Sequence, residues 1–350
     1  MRKKYININI ILSFLLLAFF VGLRYNLGRD WTNYDRIFND PFQQLFVFGE
    51  TREFGFLSLI ELCHAINIDF SGFALTMAII TMALLFFFYK KYIYLLPAGI
   101  FIFFTDLGYA SIINLMRQTF ALFAFMCAMN FSGKTDKRSL LYFFSFFFIG
   151  FSFHYTILIF LPCWYIHKIR LTLGQLVIVC ISVYLISIMY LANLYDDFMS
   201  LVPKYNNAYT NTSSTIVNEH STFGLGALLL LLIRLMPLCY YNTMLKENRE
   251  LAKYFVMYYL GLSVYYGFYN YLLITRFTLY FQIFELIVMP YVIYKAYSIK
   301  NINLRIIPAV MVFLLSFNFI YLYSDFINDH VKTRTFSLVF IEFVKEKTLF

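Results

Sequence analysis

Charge is what this 350-residue chain has least of: Asp, Glu, Lys and Arg make up only 13% of it, against roughly a quarter in an ordinary soluble domain. With 61% hydrophobic residues beside that deficit, a water-soluble fold is excluded. Tryptophan is nearly absent, with two residues, and the five cysteines (Cys63, Cys127, Cys163, Cys180 and Cys239) show no Cys-x-x-Cys spacing. They sit in apolar stretches, which predicts buried, inert thiols rather than disulfides or metal ligands. No Asp-x-Asp, Walker glycine loop, His-x-x-x-His or Gly-x-Ser-x-Gly pattern occurs, so a sugar-nucleotide metal site, a P-loop, a zinc helix and a hydrolase elbow have no sequence basis. Internal repeats and low-complexity segments are also missing. No cofactor and no metal are expected.

What is present is a series of apolar segments. The composition predicts an all-α fold, a single polytopic integral membrane domain over residues 1–350. Spans are predicted near 6–23, 72–89, 92–104, 108–131, 139–152, 154–166, 171–191, 223–242, 252–271, 276–294 and 305–322, about 11 transmembrane helices. Several are short for a bilayer, and 139–166 also reads as one bent hairpin. Residues 54–70 are left out because Glu61 and His64 sit mid-segment; they read as an interfacial helix. The first span follows Arg2, Lys3 and Lys4 and lacks a small-x-small cleavage site, so it reads as an uncleaved span rather than a signal peptide.

The formal charge of +9 would point to nucleic acid in a soluble chain. Here the positive-inside rule accounts for it, with membrane lipids as the surroundings and no nucleic acid. With a cytoplasmic N-terminus, one set of connections carries Lys90, Lys91, Lys134, Lys137, Arg138, Lys168 and Arg170, and continues so to Lys295, Lys300 and Arg305. The opposite set carries only Arg24, Arg29, Arg36, Arg52 and Lys204. That topology assigns residues 24–53 to a first outer loop and 192–222 to a large outer loop. It also gathers Arg117, His154 and Arg276 on the same outer side.

Three arginines interrupt otherwise apolar segments: Arg117, Arg234 and Arg276. A guanidinium keeps its charge, and burying one in hydrocarbon costs at least ~2.5–3.5 kcal/mol. Each therefore needs a wet cavity, a partner or an anionic ligand. Fixed charge with a planar donor fork suits a diphosphate. The plainer alternatives are snorkelling for Arg117 and Arg276, and an inter-helix ion pair for Arg234, beside which Pro237 opens the backbone.

His154 lies at the outer turn between two apolar segments. A lone histidine at a helix end is commonly just hydrogen-bonded there. Beside the outer arginines, a neutral imidazole also suits the removal of a proton from a sugar hydroxyl. In the first loop, Gly28-Arg29-Asp30-Trp31-Thr32-Asn33-Tyr34 combines a carboxylate with stacking and hydrogen-bonding side chains, a composition fit for a sugar; a solvated loop is the alternative. Asp196, Asp197, Glu219 and His220 in the 192–222 region are weaker candidates.

Five short elements recur in order: GRDWTNY, REFGF, LMRQTFALFAF, SFHYTILIF and TRFTLYF. Together they resemble the EpsG-like branch of the Wzy-type polysaccharide polymerases, from about residue 25 to 295. The resemblance implies a GT-C-like membrane glycosyltransferase of the bacterial inner membrane. It would join undecaprenyl-diphosphate-linked repeat units of O-antigen, capsule or exopolysaccharide, with a chain-length regulator and a flippase as possible partners. It places Asp30, Trp31 and Tyr34 in the first motif and Glu53, Gly55 and Phe56 in the second. Arg117 and Gln118 fall in the third, His154 and Tyr155 in the fourth, and Arg276 is the late arginine. The roles that follow are catalysis for His154 or Asp30, diphosphate binding for Arg117, Arg276 and Arg234, and substrate binding for Trp31, Tyr34, Gln118, Tyr155 and Glu53. An O-antigen ligase, a flippase of the lipid-linked unit and a membrane acyltransferase are the competing readings.

Overall fold

The computed structural model describes residues 8–24, 30–41, 53–105, 112, 114–191, 225–248, 250–268, 272–296 and 305–317. Among these residues every regular element is helical. The chain divides into two compact units, Met1–Tyr165 with Ser316–Phe350, and Ile166–Leu315.

The first unit contains α1 (Ile8–Gly22), α2 (Trp31–Asn39), α3 (Phe54–Ala65), α4 (Phe70–Tyr89), α5 (Leu96–Thr105), α6 (Met116–Met129) and α7 (Lys137–Phe153). Of α6, every residue except Arg117 is buried. A helix apolar on all sides belongs at the centre of a bundle, and α6 packs there against α4 and α7. Small residues let α7 come close: a Cβ on Gly150 would stand 2.6 Å from Ile157 Cδ1 and 3.1 Å from Ala124 Cβ. The thiol of Cys127 donates to the Leu84 carbonyl at 3.1 Å, and Asn130 Nδ2 to that of Phe88 at 3.3 Å, tying α6 to α4. All five cysteines are free thiols.

Helix ends follow local chemistry. Asp69 caps α4 by accepting from the Gly72 amide at 2.8 Å, and Asp136 caps α7 by accepting from the Ser139 amide at 2.9 Å. The Ser139 amide, with the Ser139 hydroxyl, holds the Asp136 carboxyl below the usual carboxylate range. Between α6 and α7, Gly133 takes φ 82°, a left-handed conformation that glycine adopts without a Cβ clash.

After α7 the chain breaks at His154 into a 3-10 helix, Tyr155–Lys168. At about 2.0 Å per residue, its 14 residues cover ~28 Å, against ~21 Å for an α-helix of equal length. The segment expected as a short span thus approaches a bilayer's thickness by winding more tightly, with a longer rise per residue. α3 is a 12-residue helix with only Phe56, Ile60 and Cys63 buried, one face at i, i+4 and i+7, and it is too short to cross.

The second unit runs through α8 (Leu173–Ile186), α9 (Leu225–Leu235), α10 (Tyr241–Glu247), α11 (Ala252–Gly267), α12 (Leu272–Gln282) and α13 (Glu285–Ala296), and ends within α14 (Arg305–Phe317). α8 opens with a capping box, in which Thr172 and Gln175 satisfy each other's amides. Pro237 converts the chain after α9 to a 3-10 turn, Met236–Tyr240. The Tyr259 hydroxyl accepts from the Leu238 amide and donates to the Arg234 carbonyl at 3.3 Å, standing inside the helical ladder.

Among the described residues helix occurs within each of the predicted spans, and three stretches of them are both long and apolar enough to cross a membrane: Phe70–Tyr89, Leu228–Glu247 and Ile274–Ala296. The chain is a helical membrane protein; the remaining predicted spans are shorter helices or helices of changed pitch.

Candidate functional site

The sequence Glu53-Phe54-Gly55-Phe56 starts α3, and each residue but Phe54 has a distinct task in building one polar cluster. Glu53 is the N-cap of α3, yet its side chain makes no cap hydrogen bond. The carboxylate reaches away instead. Oε2 accepts from Arg117 Nη1 at 2.8 Å, and Oε1 lies 2.6 Å from His154 Nδ1. The Glu53 side chain is 4% exposed, that of Arg117 21% and that of His154 19%. A buried acid thus ties together two part-exposed basic groups from different helices.

Helix packing decides that meeting. A Cβ on Gly55 would stand 2.3 Å from Ser152 Oγ and 3.0 Å from the Ser152 carbonyl oxygen, so only glycine lets the start of α3 lie against the last turn of α7. Two residues beyond Ser152, α7 ends. His154 is its C-cap, with extended backbone (φ −158°, ψ 111°) and its amide on the Gly150 carbonyl at 2.9 Å. The break turns the imidazole toward Glu53.

Arg117 occupies the first turn of α6, the wrong end of a helix dipole for a cation. Glu53 offsets that, and so do two rings: the guanidinium carbon lies 5.4 Å from the Phe56 centroid and 5.8 Å from that of Tyr34. The Tyr34 hydroxyl also shares a hydrogen bond with Arg117. Burial pushes the Tyr34 hydroxyl above its ordinary pKa; Arg117 pulls it back, and Asp30, one turn earlier in the chain, pushes it up. Tyr34 belongs to a buried hydrophobic cluster that also holds Trp31, Phe38, Phe56, Phe70, Phe73, Phe120 and Phe153.

The predicted site residues therefore separate. Glu53, Tyr34, Arg117 and His154 come together, and Asp30 stands one turn from Tyr34 at the start of α2. Tyr155 is 38% exposed, with its ring centroid 5.6 Å from that of His154. Trp31 differs from the expected sugar platform: it is 6% exposed, edge-on to Phe70 at 4.8 Å, with Arg24 5.8 Å from its ring. Those neighbours cover the indole. Glu53, expected to touch substrate, is sealed with both oxygens engaged. Gln118 is buried on α6. In the second unit, Arg276 is part-exposed on α12, whereas Arg234 is 2% exposed. Gly28, Arg29 and the 192–222 region, including Asp196, Asp197, Glu219 and His220, lie outside the described residues.

The chemistry of the cluster is directional. A carboxylate only accepts hydrogen bonds, so the ring proton of a neutral His154 sits on Nδ1 and Nε2 keeps its lone pair. Nε2 makes no hydrogen bond among the described residues. The Arg117–Glu53 pair is formally neutral, so a proton taken up by His154 gives the cluster a net positive charge. Two contributions have no signature in the sequence. Ser152 carries no signal apart from the packing of Gly55, and nothing around Glu53 announces its double attachment. Among the described residues no group of three or more His, Cys, Asp or Glu could hold a metal ion.

A family model described as the EpsG family matches residues 7–334, which takes in every residue of the cluster. No curated protein and no solved structure matches the chain significantly.

Proposed function

The chain belongs to the EpsG family, and on that premise we propose that it is a polysaccharide polymerase that joins lipid-diphosphate-linked repeat units at the Glu53–Arg117–His154 cluster. One observation carries the reading: a fixed cation and an imidazole whose Nε2 makes no hydrogen bond among the described residues are held side by side by one buried carboxylate. Glycosyl transfer from a lipid diphosphate needs those two functions.

The acceptor hydroxyl gives its proton to His154 Nε2 while its oxygen bonds to the anomeric carbon of the donor. The bond from that carbon to the diphosphate oxygen breaks, and the lipid diphosphate leaves with the electron pair. Negative charge grows on the leaving group, and the Arg117 guanidinium addresses it. Proton removal by a positioned base contributes about 10²–10⁴-fold in such reactions. Tyr155, exposed beside the imidazole, offers a ring to the acceptor sugar. Asp30 is the alternative proton acceptor, and Arg276 carries the same anion chemistry as Arg117 on α12. Undecaprenyl diphosphate as the lipid, a GT-C-like arrangement of about 11 spans, a cytoplasmic N-terminus and an outer-facing site in the inner membrane complete the proposal. O-antigen, capsule and exopolysaccharide are the products considered, and a chain-length regulator and a flippase the partners.

Deleting the gene in its host and separating the surface glycan on a gel tests this. Carrier-linked glycan of a single repeat unit on the outer leaflet is expected, restored to a full ladder by the wild-type gene and not by an equally expressed His154→Ala variant. Unchanged polymer overturns the reading. Units trapped on the cytoplasmic leaflet identify a flippase instead.

A further inference from the structure

Three features of the molecule stand outside the basic reaction: the buried polar groups of the second unit, the exposed cations at the α4 and α6–α7 turns, and the sealed acid Glu53. Of these, Glu53 has a directional contact on each carboxylate oxygen.

We propose that Glu53 is a positioning residue that acts through His154, holding the imidazole with its proton on Nδ1 and its Nε2 lone pair presented to the acceptor hydroxyl. This rests on the reading of His154 as the base. Three observations support it. Glu53 is too enclosed for substrate contact, its side chain being 4% exposed, while the imidazole it holds is 19% exposed. Its oxygens are divided, one to His154 and one to Arg117, so the carboxylate cannot turn without losing a charge-assisted bond. Its helix is locked against the His154 turn by the Gly55–Ser152 approach. The ring rotation left open at a histidine held only by its backbone is closed here. When Nε2 takes the acceptor's proton, the resulting imidazolium faces a carboxylate already in place, with no reorganisation at the moment of reaction.

Such an acid also needs its own compensation, because burying an unpaired carboxylate is costly. Arg117 supplies it. The diphosphate-facing cation and the proton-accepting imidazole therefore share one counter-ion, and the geometry of each depends on the other.

The test uses the purified full-length chain and, as probe, the carrier-linked repeat unit extracted from the deletion strain. Glu53→Gln keeps the size of the side chain but can turn an amide donor toward Nδ1. It is expected to lower kcat about 10²-fold or more with KM within about threefold, and Glu53→Asp to recover part of the loss. In a His154→Ala background, adding Glu53→Gln should cost at most about tenfold, the part that passes through Arg117, because the imidazole it positions is gone. A full second loss in that background overturns the inference, since Glu53 would then act independently of His154. Raised KM with kcat retained also overturns it, since Glu53 would then be a substrate contact. Wild-type turnover by Glu53→Gln beside an inactive His154→Ala defeats the inference alone; wild-type turnover by His154→Ala defeats the base reading beneath it. If Glu53→Gln does not accumulate, Glu53→Gln with Arg117→Gln, which leaves no unpaired buried charge, is compared with Arg117→Gln, and equal kcat in the two overturns the inference.

Discussion

Arg117 and Arg234 interrupt equally apolar stretches of sequence, and the structure treats them differently. Arg117 stands in the first turn of its helix, 21% exposed, with an acid, two aromatic faces and a histidine grouped around it. Arg234 lies in the last turn of α9, 2% exposed, where Pro237 disrupts the helix and a tyrosine hydroxyl repairs it. One cation is at the edge of a cluster that a ligand can approach; the other is enclosed in packing. The difference teaches that an intramembrane arginine signals a need for compensation, and that the packing around the helix end it occupies decides whether the remedy is open to a substrate.

The sharpest way to break that contrast is Arg117→Lys. One point charge cannot keep the Glu53 bond and lie across the Tyr34 and Phe56 rings at once, so activity should fall about 10²-fold or more, with the glycan ladder collapsing toward single units. A full-length ladder from normally expressed protein would remove the planar fork from the mechanism. Next comes Gly55→Ala, whose Cβ collides with Ser152 Oγ and Cβ, 2.3 and 2.7 Å away. About a tenfold loss of activity is expected from displacing Glu53 relative to His154, with partial recovery when Ser152→Gly is added. Loss without any recovery would show that the collision disturbs more than this contact.

Arg234→Leu should act on stability instead. Removing a buried charge costs about 3–5 kcal/mol when its surroundings are left unbalanced, read as a lower Tm, with unchanged turnover per folded molecule. An Arg234 variant that folds normally and fails to polymerise would place substrate chemistry in the second unit and undo the contrast. Tyr259→Phe is a milder probe of the same place: the Leu238 amide and Arg234 carbonyl lose their bridge, at about 1–3 kcal/mol, with activity intact.

The smallest effect concerns Asp136, whose carboxyl is held low chiefly by the Ser139 amide. A depressed carboxyl stabilises the fold above its unfolded pKa, about 3.9, and that contribution fades as pH falls through the lowered value. Asp136→Asn should therefore narrow the Tm difference between pH 6 and pH 3 slightly. An unchanged difference would mean that other carboxylates carry the acid sensitivity.

Much of the candidate site is legible in the sequence. Charge asymmetry between connections gathers Arg117, His154 and the first loop on one side, and hydrogen bonds in the structure join Glu53, Arg117 and His154 at neighbouring helix ends. Pro237 points to an opened backbone, and the 3-10 turn after Arg234 is that opening. Composition offers Trp31 as a sugar platform but does not show its packing, with Arg24 5.8 Å from its ring and Phe70 edge-on at 4.8 Å.

By itself, the sequence determined the solvent of this protein and the places where it must be helical, because hydropathy and backbone hydrogen bonding are properties of contiguous residues. It also determined that the charges at 117 and 234 needed compensation, since desolvating a guanidinium is costly wherever it happens. Only the tertiary structure decided which partners would meet that need. Glu53 reaches Arg117 and His154 across 64 and 101 residues of chain, through a glycine contact that no local pattern encodes. Short-range chemistry between groups far apart in sequence is set by how helices pack, and there the buried acid, its cation and its imidazole became one cluster.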